Sequence, residues 1–195
     1  MCDFAEVRER VLESIGQLYV DHIRLLEIDA NERSITHWLA NEVQARFQEW
    51  TVDCEYNRKG ELPKKLKETD ERVLIWNTDG RTAYPDIIVH MREEPVNLLI
   101  LEAKKATSDD GPERDLEKLA FFGDHSDYRY RFGAFVMLAK QEVFIQWFVD
   151  GMPKGAEWLA PDGEELLEGT APEAAELLAI EEDVQAVLEG LGFDV

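Results

Sequence analysis

Three features of the chain predict an α/β domain built on a mixed β-sheet with helices on both faces. Helical periodicity appears at both ends and once in the middle, with strand-like runs between. The runs IIV (87–89) and LLIL (98–101) are continuously apolar instead of alternating, as strands buried on both faces require. A length of 195 residues, with 45% hydrophobic content and five Trp, suffices for one packed core even though 32% of residues are charged.

Taken in order, residues 3–28 predict a long amphipathic helix, because Phe4, Val7, Val11, Ile15, Leu18, Ile23 and Leu26 recur at helical spacing. NERS (31–34) interrupts it, and Ser34 is the expected N-cap of a second helix over about 35–49. That helix carries the stripe Ile35, Trp38, Leu39, Val43, Phe47 and Trp50. Glu42 falls inside the stripe, where an acid needs a partner, and on periodicity alone a salt bridge to Arg46 one turn on supplies it. TVDCEYNR suggests a strand through Val52, Cys54 and Tyr56, and the Lys/Glu-rich 59–72 an exposed loop. VLIWN (73–77) suggests a short strand ending at the turn signal Asp79-Gly80. Strands follow at about 84–91 and 96–104, then a helix over 111–123 with Leu116, Leu119 and Ala120 inward. FGAFVMLA and EVFIQWF form a hairpin across Lys140-Gln141. From Met152 the chain turns acidic, and 172–191 predicts a final amphipathic helix through Ala175, Leu178, Ile180, Val184, Val187 and Leu191. The expected organisation is an α/β domain over 1–155 and an acidic helical extension over 156–195 packed on it.

Charges sit where two such apolar strands would not want them. If 84–91 and 96–104 pair as a hairpin through REEP (92–95), Asp86 and Glu102 are symmetric about position 94 and lie opposite each other, Cβ atoms about 5 Å apart. Lys104 shares a face with Glu102, while Ala103 points away. Two facing carboxylates repel unless a cation sits between them, and oxygen ligands of this kind suit Mg²⁺ or Mn²⁺. A lysine beside them can hold an attacking water or offset charge building on phosphorus.

Pro85-Asp86 followed after a hairpin by Glu102-Ala103-Lys104 resembles the PD-(D/E)XK nuclease superfamily, and PDIIVHMR…NLLILEAKK…DLEKL is similar to a bacterial branch of it. The likeness covers about residues 34–150. It implies the restriction-endonuclease-like fold and Mg²⁺-dependent hydrolysis of phosphodiester bonds, in DNA rather than RNA. Residue by residue, it implies that Asp86, Glu102 and the Ala103 carbonyl bind the metal and that Lys104 positions or activates the water. Glu42 would hold a metal-bound water or a second metal, a role that the resemblance favours over the salt bridge. Lys118, on the following helix, would reach a phosphate or be a solvated helix lysine. His90 would contact substrate or be a hydrogen-bonded strand histidine, and Arg58 with Lys59 would clamp phosphate or form a basic turn.

The net charge of −21 sets limits on this reading. Nucleic-acid binders usually carry a basic footprint. Here residues 141–195 hold 14 Asp/Glu against one Lys, net −13, which leaves −8 for the rest. Basic residues concentrate at Arg58, Lys59, Lys64, Lys65 and Lys67, then Lys104, Lys105, Lys118, Arg129 and Arg131. Adaptation to high salt would also give so acidic a surface. The acidic last third suits a protein partner, which is the alternative to catalysis: a nuclease-fold module whose acidic surface occupies a partner's nucleic-acid groove. It also suits self-inhibition, in which the extension covers a basic cleft. Cys2 and Cys54 are too few for a disulfide framework or zinc site, His22, His37 and His125 lack ligand spacing, and no Gly-rich phosphate loop, HExxH or GxSxG occurs. With no membrane-length apolar run and no signal-like N-terminus, the expectation is a cytoplasmic protein without membrane partners.

Overall fold

A computed structural model describes residues 2–54, 58–59, 62–63, 85–92, 94–124, 128–160 and 175–195. The order is α1 (Phe4–Glu27), α2 (Glu32–Arg46), β1 (Thr51–Cys54), β2 (Arg58–Lys59), β3 (Leu62–Pro63), β4 (Ile87–Met91), β5 (Val96–Lys105), α3 (Glu113–Asp124), β6 (Phe132–Leu138), β7 (Val143–Val149), β8 (Met152–Leu159) and α4 (Ala175–Gly190). Six strands form one mixed sheet in the order β1-β4-β5-β6-β7-β8, and β2 and β3 form a separate short ladder where an open loop was expected. The strand expected at 73–77, its Asp79-Gly80 turn, Tyr56, Lys64, Lys65, Lys67 and His125 lie outside the described residues. No described helix is long and apolar enough to cross a membrane.

The sheet is buried on both faces, and this is why its central strands read as unbroken apolar runs. On one face Val7, Val11, Ile15 and Leu18 of α1 and Ile35, Leu39 and Val43 of α2 pack on Leu99, Leu101, Ala134, Val136 and Ile145. On the other, Leu116, Leu119 and Phe122 of α3 and Val184 and Leu188 of α4 pack on Ile88, Ile100, Phe135 and Phe144. The α/β architecture with two-sided cover is therefore as the sequence predicts, and the C-terminal helix belongs to the same core.

Three local expectations change. The second helix starts at Glu32, not Ile35, because Asn31 is the cap: its Oδ1 accepts from the Arg33 N–H at 2.9 Å. Trp38 leaves the buried stripe and remains 39% exposed, stacked on His22 of α1 with ring centroids 4.1 Å apart. Residues 152–159, where the composition turns acidic and no strand was expected, form the edge strand β8, which continues past position 155 to Leu159. Asp150 and Gly151, both at positive φ (50° and 78°), make the tight hairpin turn between β7 and β8.

That turn packs directly on α3. A Cβ at Gly123 would lie 2.3 Å from the Gly151 nitrogen and 2.5 Å from its Cα, both backbone atoms that cannot swing aside. Gly123→Ala is expected to lower stability by about 1–3 kcal/mol, read as a reduced urea midpoint at unchanged m-value. An unchanged midpoint would mean that α3 does not rest on the turn.

Candidate metal centre

β5 is the strand that places the site. It pairs antiparallel with β4 from Ile87↔Leu101 to Met91↔Val96 and parallel with β6 from Leu99↔Phe132 to Lys105↔Leu138. The Ile87↔Leu101, Ile88↔Ile100 and Val89↔Leu99 pairs carry the register symmetric about 94, which puts Asp86 opposite Glu102 one step beyond the last pair. A bulge between Val89 and His90 then shifts the register at the far end.

Because β4 stops at Ile87, residues 102–105 of β5 have no strand beside them on that edge among the described residues. Side chains take the free backbone donors. Ala103 N–H donates to Asp86 Oδ2 at 3.0 Å, and Lys105 N–H donates to Glu32 Oε2 at 3.2 Å. The N–H and carbonyl of one strand residue point to the same side, so the Ala103 carbonyl faces the edge that Asp86 occupies.

Glu102 and Lys104 project to the α3 face, beside Phe135 and Met137 in the β6 register. Glu102 is 0% exposed. The crossover helix α3 supplies its counter-charge: Lys118 Nζ lies 2.5 Å from Glu102 Oε2 and 2.9 Å from Asp115 Oδ1. Asp115 reaches Lys104 with its other oxygen, at 3.1 Å from Nζ. Asp115 and Lys118 are one turn apart, so a single helix face carries both. The result is a buried chain Lys104–Asp115–Lys118–Glu102 with Asp86 at its open side.

The chain is short of positive charge. Among the described residues, Asp86, Glu102 and Asp115 face only the two ammoniums of Lys104 and Lys118, and Glu32 adds a fourth acid close enough to act on Asp86. Burial, then the Asp86 charge, push the Glu102 carboxyl well above its ordinary value, and Lys118 offsets only part of this. Burial likewise raises Asp86, against the pull of Lys118 and the Ala103 N–H. For Lys118 burial works against the charge, but Glu102, Asp115 and Asp86 outweigh it and keep the ammonium protonated. Among the described residues, Glu102 Oε1 is buried with no hydrogen-bond partner. An orphaned carboxylate oxygen beside a second carboxylate and a backbone carbonyl is a hard-oxygen donor set, and it fits Mg²⁺ or Mn²⁺.

Asp86, Glu102 and the Ala103 backbone thus lie together, Lys104 is linked to them through Asp115 and Lys118, and Lys118 is a mostly buried partner instead of a solvated helix lysine. Glu42 does not join them. Its Oε2 accepts from Arg46 Nη1 at 3.0 Å, and Arg46 also reaches Glu13 of α1 at 3.6 Å, so Glu42 faces the α1–α2 junction. The α2 acid turned toward the site is Glu32, ten residues and roughly 15 Å of helix earlier. His90 lies four residues along β4 from Asp86, past the bulge, and is the hydrogen-bonded strand histidine: its Nε2 sits 2.8 Å from Asp53 Oδ2. Burial disfavours the Asp53 charge, but Arg92 and His90 outweigh it and hold the carboxyl below its usual range. Arg58 and Lys59 form β2, and their side chains lie outside the described part of the chain.

Sequence reasoning missed Asp115 and Glu32. The i,i+3 spacing of Asp115 and Lys118 was the available signal for the first; nothing local signals the second. Elsewhere, Cys2, Glu6 and Glu49 bring potential ligand atoms within 4.8 Å of one another, but the Arg10 guanidinium already lies 2.6 Å from both glutamates. No family model, curated protein or solved structure gives a significant match to the chain.

Glu102 makes stability depend on pH in a stated direction. Its folded-state carboxyl binds a proton more readily than the unfolded one, so its contribution is fully present below pH 4.5, the ordinary value, and is lost as pH rises through the raised folded value. Urea midpoints of the wild type are expected to fall between pH 5 and 8 more steeply than those of Glu102→Gln. Parallel slopes for the two proteins would remove Glu102 as the source.

Proposed function

We propose that the protein is a Mg²⁺- or Mn²⁺-dependent nuclease of restriction-endonuclease-like fold that hydrolyses phosphodiester bonds, in DNA rather than RNA. The observation that carries this is the unpartnered, fully buried Glu102 Oε1 beside Asp86, in a cluster with more carboxylates than ammoniums. Asp86, Glu102 and the Ala103 carbonyl would hold the ion. When bound there, Mg²⁺ supplies Lewis-acid polarisation of a phosphate oxygen and a lowered pKa for a bound water. The chain's own residues do the rest. Lys104, held by Asp115, presents its ammonium beside the carboxylates, where it orients water and offsets negative charge on phosphorus. Lys118 supplies a second ammonium within reach of the same position. Ala103 N–H fixes the Asp86 carboxylate against the strand so that the donor set does not need to reorganise. Glu32 takes the place expected of Glu42 as the acid contributed by α2.

One observation favours a second reading, a catalytically silent acidic interaction module. Both lysines are already neutralised inside the cluster, and the groove of about 220 Å³ beside Lys104 and Lys105 is rimmed by Asp109, Asp110 and, from α4, Asp183. Such a rim repels phosphate and suits a basic protein partner. Removing residues 156–195 does not separate the readings cleanly, because the cut runs through β8 and takes Val184 and Leu188 from the core.

The test is cleavage of labelled single- and double-stranded DNA and of RNA with millimolar Mg²⁺ or Mn²⁺, against chelator. The wild type is expected to cut DNA only with the ion, and Asp86→Ala, Glu102→Ala and Lys104→Ala to lose at least about 100-fold of the rate. Glu42→Ala is expected to keep it within about threefold, as a residue outside the cluster. A folded wild type that binds the ion yet cuts none of these substrates would favour the silent module.

A further inference from the structure

Among the described residues Lys118 is the one cation bonded to Glu102, and it sits on Oε2 of the carboxylate whose free Oε1 a divalent ion would need. Its Nζ sits on Glu102 Oε2 at 2.5 Å, with its side chain 12% exposed, and its second bond at 2.9 Å is to Asp115 Oδ1. Lys104, two residues from Glu102 on the same strand face, makes its ion pair with Asp115 Oδ2. Two ammoniums therefore share one aspartate, but only one of them touches the candidate metal ligand.

We propose that Lys118 is the affinity-determining residue of this site: a built-in cation that competes with the divalent ion for Glu102. The inference rests on the nuclease reading above. Without an ion, the Lys118 ammonium neutralises a carboxylate that no water reaches and so makes its burial tolerable. When an ion takes Glu102, Asp115 keeps Lys118 through the bond that it already makes, and the ammonium remains beside the site where a phosphate would lie. The shared Asp115 makes this exchange cheap, because Lys118 never loses both partners. An ion arriving alone at the free Oε1 meets the ammonium seated on Oε2 of the same carboxylate, and binds as that like charge is pushed off. An ion arriving with a phosphate gains an anion that the displaced ammonium can meet, so the competition couples metal binding to the phosphodiester substrate.

The geometry distinguishes contact from general electrostatics. Lys118→Met and Lys104→Met each delete one positive charge from the cluster, but only the first removes a competitor from Glu102. Lys118→Arg keeps a cation there.

The experiment is calorimetric titration of Mn²⁺ alone into the full chain and its variants at pH 7.5, with thermal unfolding measured with and without the ion. Lys118→Met is expected to bind Mn²⁺ at least about tenfold more tightly than wild type, as removal of an adjacent like charge implies, and Lys104→Met and Lys118→Arg to gain less than about threefold. Without the ion, Lys118→Met is expected to melt below wild type, and saturating Mn²⁺ to close most of that gap. Should the methionine variant fail to fold, Lys118→Gln, which keeps a donor for Glu102, carries the same expectation. Equal or weaker binding by Lys118→Met, with a wild type that binds, overturns the competition and leaves the metal reading standing. An equal gain from Lys104→Met overturns the specific role of Lys118. Absence of binding in every protein overturns both the competition and the reading on which it rests.

Discussion

The arrangement of this protein turns on a carboxylate with no access to water. Glu102 lies on β5, with β4 ending just before it on one side and β6 continuous on the other, under the crossover helix α3. A buried acid of this kind must be neutralised by a proton, an ammonium or a metal ion, because an isolated charge there is far too costly. The fold meets that demand through topology. The parallel β5–α3–β6 connection brings α3 back over the strand that carries the acid, and two residues one turn apart, Asp115 and Lys118, complete the charge network.

The same constraint accounts for the edge. A strand that outruns its neighbour leaves N–H groups unpaired, and these are normally satisfied by water or by another strand. Here Asp86 and Glu32 satisfy them with carboxylates, which concentrates negative charge at the open end of β5. Edge satisfaction and the candidate donor set are thus one feature. The structure does not add acids to a finished sheet; it finishes the sheet with acids.

Much of this was legible in the chain. Continuous apolar runs foretold a sheet covered on both faces, and simple symmetry about position 94 gave the register of β4 and β5 near the site. Other parts were not. Glu42 sits in a helical stripe that looks inward, yet the inward side at that level is α1, and Arg46 answers it locally. Glu32 reaches the Lys105 N–H only because Asn31 caps α2 beside the end of β5, and that meeting is tertiary. β8 is an edge strand containing Pro153, Lys154, Gly155 and Glu157, so it lacks the apolar signature of its neighbours. The Asp150-Gly151 turn before it was the signal available for that hairpin.

The most direct test of the account is the position of the ion itself, seen in crystals grown with Mn²⁺ and measured for its anomalous scattering. A single strong peak is expected between Asp86 and Glu102 beside the Ala103 carbonyl, with the Lys118 ammonium moved off Glu102 and still on Asp115. A map without a peak there, with Lys118 still seated on Glu102 at saturating Mn²⁺, would contradict it.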